Sequence, residues 1–159
     1  MTLSVIRDVH AWEALDSRGK PTVAAVVELA DGARGRAVVP SGASTGSHEA
    51  VELRDGGDRY GGYGVLGAVA SANGELRDRI IGLDATDQSE VDAALESADN
   101  RPDLGTVGAN AVLALSLATL VAAADSTSRP LWKQLDDSAE PLIPMPMVNI
   151  LSGGAHARG

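Results

Sequence analysis

The chain has 159 residues, no cysteine and a formal net charge of −9 at pH 7. This length is that of one domain, or of one domain with a short extension. The acidic balance argues against nucleic acid and anionic membranes as partners, because both require clustered Lys and Arg. The absence of cysteine rules out disulfides and thiolate chemistry and is compatible with the cytoplasmic location that we expect.

The first forty residues predict three short antiparallel strands that follow one another as a meander. The segments 3–13, 22–30 and 33–39 are rich in strand-forming residues and partly alternate between apolar and polar positions. The sequence DSRG at 16–19 supplies the first turn, and Asp31-Gly32 is a strong two-residue hairpin signal.

Residues 39–53, VPSGASTGSHEAVEL, contain the candidate functional stretch. The segment 41–46 has no large side chain, so its backbone can approach another group closely, and its hydroxyls can bind an anion or a hard cation. The following SHEAVEL predicts a short helix. A loop of this kind directly before a helix is typical of a lid or an anion-binding loop, although most small-residue loops are plain connections. A Walker phosphate loop is excluded because no Lys follows the last glycine.

The middle of the chain predicts helices. Apolar residues recur at helical spacing over 65–81, and Gly82 closes that helix. Asp87 and Glu90 have the spacing of a capping box that opens the next helix. The acidic run 84–103 is interpreted as a solvated face.

The segment 108–124 is apolar on almost all sides and predicts a helix at the centre of a packed layer. It is too short and too rich in Ala to span a bilayer comfortably, which takes about 20 residues. Its polar members are expected to be core residues with satisfied hydrogen bonds: Asn110, Ser116 and Thr119. A short helix over 131–135 follows Pro130, and the proline-rich segment 141–154 predicts a loop that enters a strand. The whole pattern is α+β.

Four stretches together resemble the enolases, the Mg-dependent phosphopyruvate hydratases. The matching stretches are DSRG-x-PTV at 16–23, SGASTG with the following E-A-x-E-L-R-D at 41–55, GANA-x-L-x-x-SLA at 108–118, and P-x-P-M-x-N-I-x-x-GG-x-HA at 144–157. The resemblance covers essentially the whole chain, aligned with the first third of a family member. It implies a cap domain over 1–138 with a three-stranded meander and a helical bundle. Residues 139–159 would then be a linker and the first strand of a truncated (β/α)8-type barrel.

The resemblance also implies an activity, the Mg²⁺-dependent conversion of 2-phosphoglycerate to phosphoenolpyruvate in glycolysis. By family pattern, Ser44 supplies oxygen ligands to Mg²⁺ through its hydroxyl and main-chain carbonyl. Gly42, Ala43 and Thr45 let the loop close over the substrate, and His156 reaches the substrate from the end of the first barrel strand. The family's acid–base groups and carboxylate metal ligands follow the GG-x-HA segment, so we expect no certain catalytic residue here and no activity from these 159 residues alone.

Some positions depart from the family pattern, which usually has Arg, Asn and Glu where this chain has Trp12, Lys20 and Ala24. Three hypotheses therefore stay open. The chain is the N-terminal part of an enolase, an enolase-like synthase of phosphonate metabolism, or a non-catalytic cap domain that binds another enolase subunit. The expected protein partner is a second copy in a homodimer or a complementing barrel polypeptide.

Overall fold

The computed structural model describes residues 3–42, 46–136, 138 and 140–151. The predicted meander is confirmed: β1 (Ile6–Leu15), β2 (Pro21–Leu29) and β3 (Arg34–Val38) form one antiparallel sheet in the order β1-β2-β3. The hairpin between β2 and β3 turns at Gly32, whose φ of +89° lies in the left-handed region that favours glycine. Asp31 closes this turn by accepting a hydrogen bond from the main-chain N–H of Ala33 at 2.9 Å.

Five helices follow the sheet and complete the α+β fold. They are α1 (Leu66–Ser71), α2 (Arg77–Ile80), α3 (Gln88–Glu96), α4 (Ala109–Ser126) and α5 (Leu131–Leu135). The predicted cap of α3 is confirmed, because the Asp87 carboxylate accepts a hydrogen bond from the main-chain N–H of Glu90 at 3.0 Å.

The helix predicted over 65–81 is present but interrupted. A π-helical turn (Ala72–Leu76) joins α1 to α2 and contains the non-helical Gly74. Here the Asn73 amide donates to the main-chain oxygen of Ala11 and accepts from its N–H, both at 2.8 Å. The irregular turn therefore ties this helical segment to β1.

Helix α4 is the centre of the core and lies against β2 and β3. By length and composition it could cross a membrane, but eleven of its residues are buried within the fold, as the sequence predicted. Gly35 makes the closest approach: a Cβ atom there would lie 2.0 Å from the main-chain oxygen of Ala118 and 2.2 Å from the nitrogen of Ala122. A side chain at position 35 would therefore push the sheet away from α4.

The short helix predicted over 47–53 is wrong, because this segment forms a turn followed by residues that are in neither a helix nor a strand. Its main-chain groups have partners far away in the sequence. The N–H of Val51 donates to the oxygen of Asp103 at 2.7 Å, and the oxygen of Val51 accepts from Ala109 at 2.9 Å. These contacts replace the local hydrogen bonds that a helix would need.

Residues 140–151 follow the packed part of the chain and form no strand. Their apolar side chains are exposed, with 90% of Leu142 and 97% of Ile143 accessible to solvent. The barrel strand and the domain boundary near residue 138 stay predictions.

Candidate functional site

The site residues predicted from the sequence fall mostly outside the described part of the chain. Ala43, Ser44, Thr45 and His156 lie outside the described residues, so their predicted roles stay predictions. Gly42 is described and exposed. It lines a cavity of about 510 Å³ together with Gly46, so both described ends of the 41–46 loop lie at this cavity.

Arg54 organises the wall of this cavity. Its Nη1 donates to the main-chain oxygens of Pro21 at 2.6 Å and Tyr63 at 2.9 Å. Its Nη2 donates to Glu52 Oε2 at 2.6 Å and to Ser41 Oγ at 3.2 Å. The Ser41 hydroxyl in turn donates to Glu52 Oε2 at 3.0 Å. One guanidinium therefore joins the start of β2, the beginning of the loop and the Tyr63 segment.

A second arginine holds the main chain of the same serine. Arg18 Nη2 donates to the carbonyl oxygen of Ser41 at 2.6 Å. Arg18 is itself placed by Asp16, whose carboxylate accepts from the main-chain N–H groups of Arg18 and Lys20, each at 2.8 Å. The pKa of Asp16 is lowered, chiefly by the hydrogen bond from the Lys20 N–H. The hydroxyl and the carbonyl of Ser41 are thus fixed by different arginines, which makes the start of the loop a rigid base.

Asn110, at the beginning of α4, positions the segment that carries Glu52 and Arg54. Its side-chain oxygen accepts from the N–H of Leu53 at 3.1 Å, and its amide donates to the oxygen of Leu53 at 3.1 Å. Asn110 is only 4% exposed, so the expectation that it is a satisfied core residue is confirmed. This amide anchors the cavity wall to the core helix.

Lys20 and Tyr63 form the polar rim of the cavity. The Lys20 ammonium lies 4.4 Å from the centre of the Tyr63 ring, within the range of a cation–π contact. Sequence reasoning noted Lys20 as a departure from the family pattern and missed Tyr63. The scarcity of aromatic residues, 3% of the chain, was the signal that could have drawn attention to it.

The described residues do not form a Mg²⁺ site by themselves. Within 3–42, 46–136, 138 and 140–151, no group of three His, Asp or Glu side chains could hold a metal ion. The Glu52 carboxylate already accepts from Arg54 and Ser41. Because Mg²⁺ requires near-octahedral oxygen coordination, this part of the chain offers it no preformed cage.

A second cavity, of about 560 Å³, lies between α3 and the loop that precedes α4. Its polar groups stabilise that loop: the Asp99 carboxylate accepts from the N–H groups of Arg101, Thr106 and Val107. Arg101 is paired with Asp103 at 2.7 Å. We therefore interpret this cavity as structural and assign the candidate site to the Ser41 cavity.

Comparison with known families assigns the domain as a whole. A family model described as "Enolase, N-terminal domain" matches residues 6–135. The match begins at the first residue of β1 and ends at the last residue of α5. It therefore includes the sheet, all five helices and every residue described above at the Ser41 cavity.

Proposed function

The chain belongs to the enolase family through its N-terminal domain, and we propose that it serves an enolase-type lyase that converts 2-phosphoglycerate to phosphoenolpyruvate. The observation that carries the proposal is the double clamp on Ser41 by Arg18 and Arg54. It fixes the start of the loop whose SGASTG sequence matches the enolase pattern.

The chemistry of this reaction defines what the chain must contribute. Removing a proton next to a carboxylate produces a doubly charged enolate, and bound Mg²⁺ supplies stabilisation of that charge. In our proposal, Gly42, Ala43, Ser44 and Thr45 contact the substrate side of the site, Ser44 offers oxygen atoms to the metal, and His156 contacts the substrate.

The described contacts around Ser41 support a positioning role. The cations nearest Ser41 are engaged in hydrogen bonds that hold the loop base, and the Glu52 carboxylate is engaged by Arg54. We therefore propose that a barrel segment supplies the proton-transfer groups and most metal ligands. This chain supplies the rigid loop base and the small-residue loop.

The test combines the full chain with a polypeptide that carries an enolase barrel, in the presence of Mg²⁺ and 2-phosphoglycerate. Formation of phosphoenolpyruvate is followed by its ultraviolet absorbance. We expect Ser44→Ala to lower the rate by about tenfold or more, because the variant loses the hydroxyl that we propose as a ligand of the metal that stabilises the transition state. Ser47→Ala is the matched control, because it removes a neighbouring exposed hydroxyl and should leave the rate unchanged.

The same preparation distinguishes the alternatives. A well-folded complex without phosphoenolpyruvate formation would refute the proposal. Faster turnover of a phosphonate analogue than of 2-phosphoglycerate would identify an enolase-like synthase of phosphonate metabolism. Stable association with the barrel polypeptide but no turnover of either substrate would identify a non-catalytic cap domain.

A further inference from the structure

We propose that Lys20 and Tyr63 form an anion subsite at the rim of the Ser41 cavity, which takes a phosphoryl-type oxyanion. The further assignment, that the bound anion is a distal group of the enolase-type substrate, rests on the proposed function. The subsite itself rests on the placement of Lys20, which forms no ion pair with the described residues, on an aromatic ring at the edge of the cavity.

The backbone at Lys20 is held rigidly. The N–H of Lys20 donates to the Asp16 carboxylate at 2.8 Å, and its carbonyl oxygen accepts from the N–H of Asp16, also at 2.8 Å. Gly19, with φ of +73°, allows the tight turn between them. The Lys20 side chain therefore begins from a fixed point and crosses to the Tyr63 ring.

The main chain of the aromatic partner is held as well. The Tyr63 carbonyl accepts from Arg54 at 2.9 Å, and the Arg54 guanidinium carbon lies 6.0 Å from the centre of the Tyr63 ring. Two cations thus approach one ring, and the ring faces the cavity of about 510 Å³. This volume is in the range of small-molecule sites.

The carboxylates nearby leave the Lys20 charge uncompensated. Glu52 is engaged by Arg54 and Ser41. Glu49 also lines the cavity, but in the described part of the chain neither it nor Lys20 takes part in an ion pair. An ammonium that forms no ion pair, lies on an aromatic ring and lines a cavity attracts an oxyanion, and lysine binds phosphoryl groups as a point charge.

The second tyrosine provides the contrast inside the same molecule. Arg59 lies over the Tyr60 ring at 4.7 Å, which repeats the cation–aromatic arrangement. Arg59, however, donates to Glu13 Oε2 at 2.8 Å, and this contact lowers the pKa of Glu13. The Arg59 charge is therefore neutralised, and we expect no anion to bind at Tyr60.

The experiment titrates inorganic phosphate into the full chain and follows the ring signals of the two tyrosines by NMR. Tyr60→Phe assigns the signals. We expect a saturable shift of Tyr63 and no shift of Tyr60. Lys20→Gln should weaken phosphate binding by about tenfold, because a hydrogen bond to a charged group is lost. Lys20→Arg should retain binding.

The chain offers a matched control in its other lysine. Lys133 lies over the Trp132 ring at 5.4 Å but does not line the Ser41 cavity, so Lys133→Gln should leave phosphate binding unchanged. Equal shifts of both tyrosines, or equal affinity of Lys20→Gln and the unchanged chain, would overturn the proposal. Tighter binding of acetate than of phosphate would overturn the phosphoryl class. Because these measurements need no turnover, their outcome is independent of the enolase assay.

Discussion

Replacing Asn110 by Ala should both destabilise the protein and release the wall of the Ser41 cavity. The Asn110 side chain makes two hydrogen bonds of 3.1 Å to the main chain of Leu53 and is 4% exposed. Each bond contributes about 1 kcal/mol net, and the loss of Asn110 also leaves two main-chain groups without their partner. We therefore expect the free energy of unfolding to fall by roughly 2–4 kcal/mol.

Thermal unfolding followed by circular dichroism measures this loss, and a decrease in Tm of roughly 5–15 °C is expected for a chain of this size. Hydrogen exchange should accelerate at the amide of Leu53, which loses its acceptor. Asn100→Ala is the control, since Asn100 is exposed and its replacement should change stability by less than about 0.5 kcal/mol. If Asn110→Ala has the same Tm as Asn100→Ala, the Asn110 side chain does not hold residues 51–54 against α4.

Three further predictions test the core and the loops. Gly35→Ala should cost at least about 3 kcal/mol in denaturant unfolding, because its Cβ would clash with the backbone of α4. Gly67→Ala, whose Cβ would meet its nearest atom at 3.4 Å, should not lower stability; similar losses in both variants would contradict the close approach. Hydrogen bonding to Arg101 lowers the pKa of Asp103 from 3.8 to about 2, so this contact stabilises the fold above the ordinary pKa and is lost as the pH falls toward 2. An NMR titration should therefore place Asp103 near 2 and move it upward in Arg101→Ala, and an unchanged pKa would refute the pairing. Asp87→Ala should cost about 1 kcal/mol and accelerate amide exchange in the first turn of α3; unchanged exchange there would show that the cap is not formed in solution.

The candidate site was only partly predictable from the sequence. The motif at 41–46 predicted a functional loop, and its described residue Gly42 lies at the cavity. The role of Arg54 could not be read from its position, because its partners come from β2, the loop and the Tyr63 segment. Lys20 and Tyr63 lie 43 positions apart in the sequence and come into contact only when the turn after β1 is folded.

The sequence by itself determined the elements whose signals are local. Asp31-Gly32 specified the hairpin, Asp87 and Glu90 specified the start of α3, and the apolar run at 108–124 specified the central helix. For the hairpin and the cap, the deciding interaction joins residues a few positions apart. For the central helix, the deciding signal is a continuous apolar run, most of which is buried. Such information is contained in a short window of sequence.

Only the tertiary structure decided that residues 47–53 are not a helix and that a π-helical turn interrupts 65–81. The first depends on Asn110, 57 positions from Leu53, and the second on Asn73, 62 positions from Ala11. Every buried main-chain group needs a hydrogen-bond partner, and a distant side chain can satisfy it as well as the local helix can. The choice between them is made only when the core brings the distant side chain into reach.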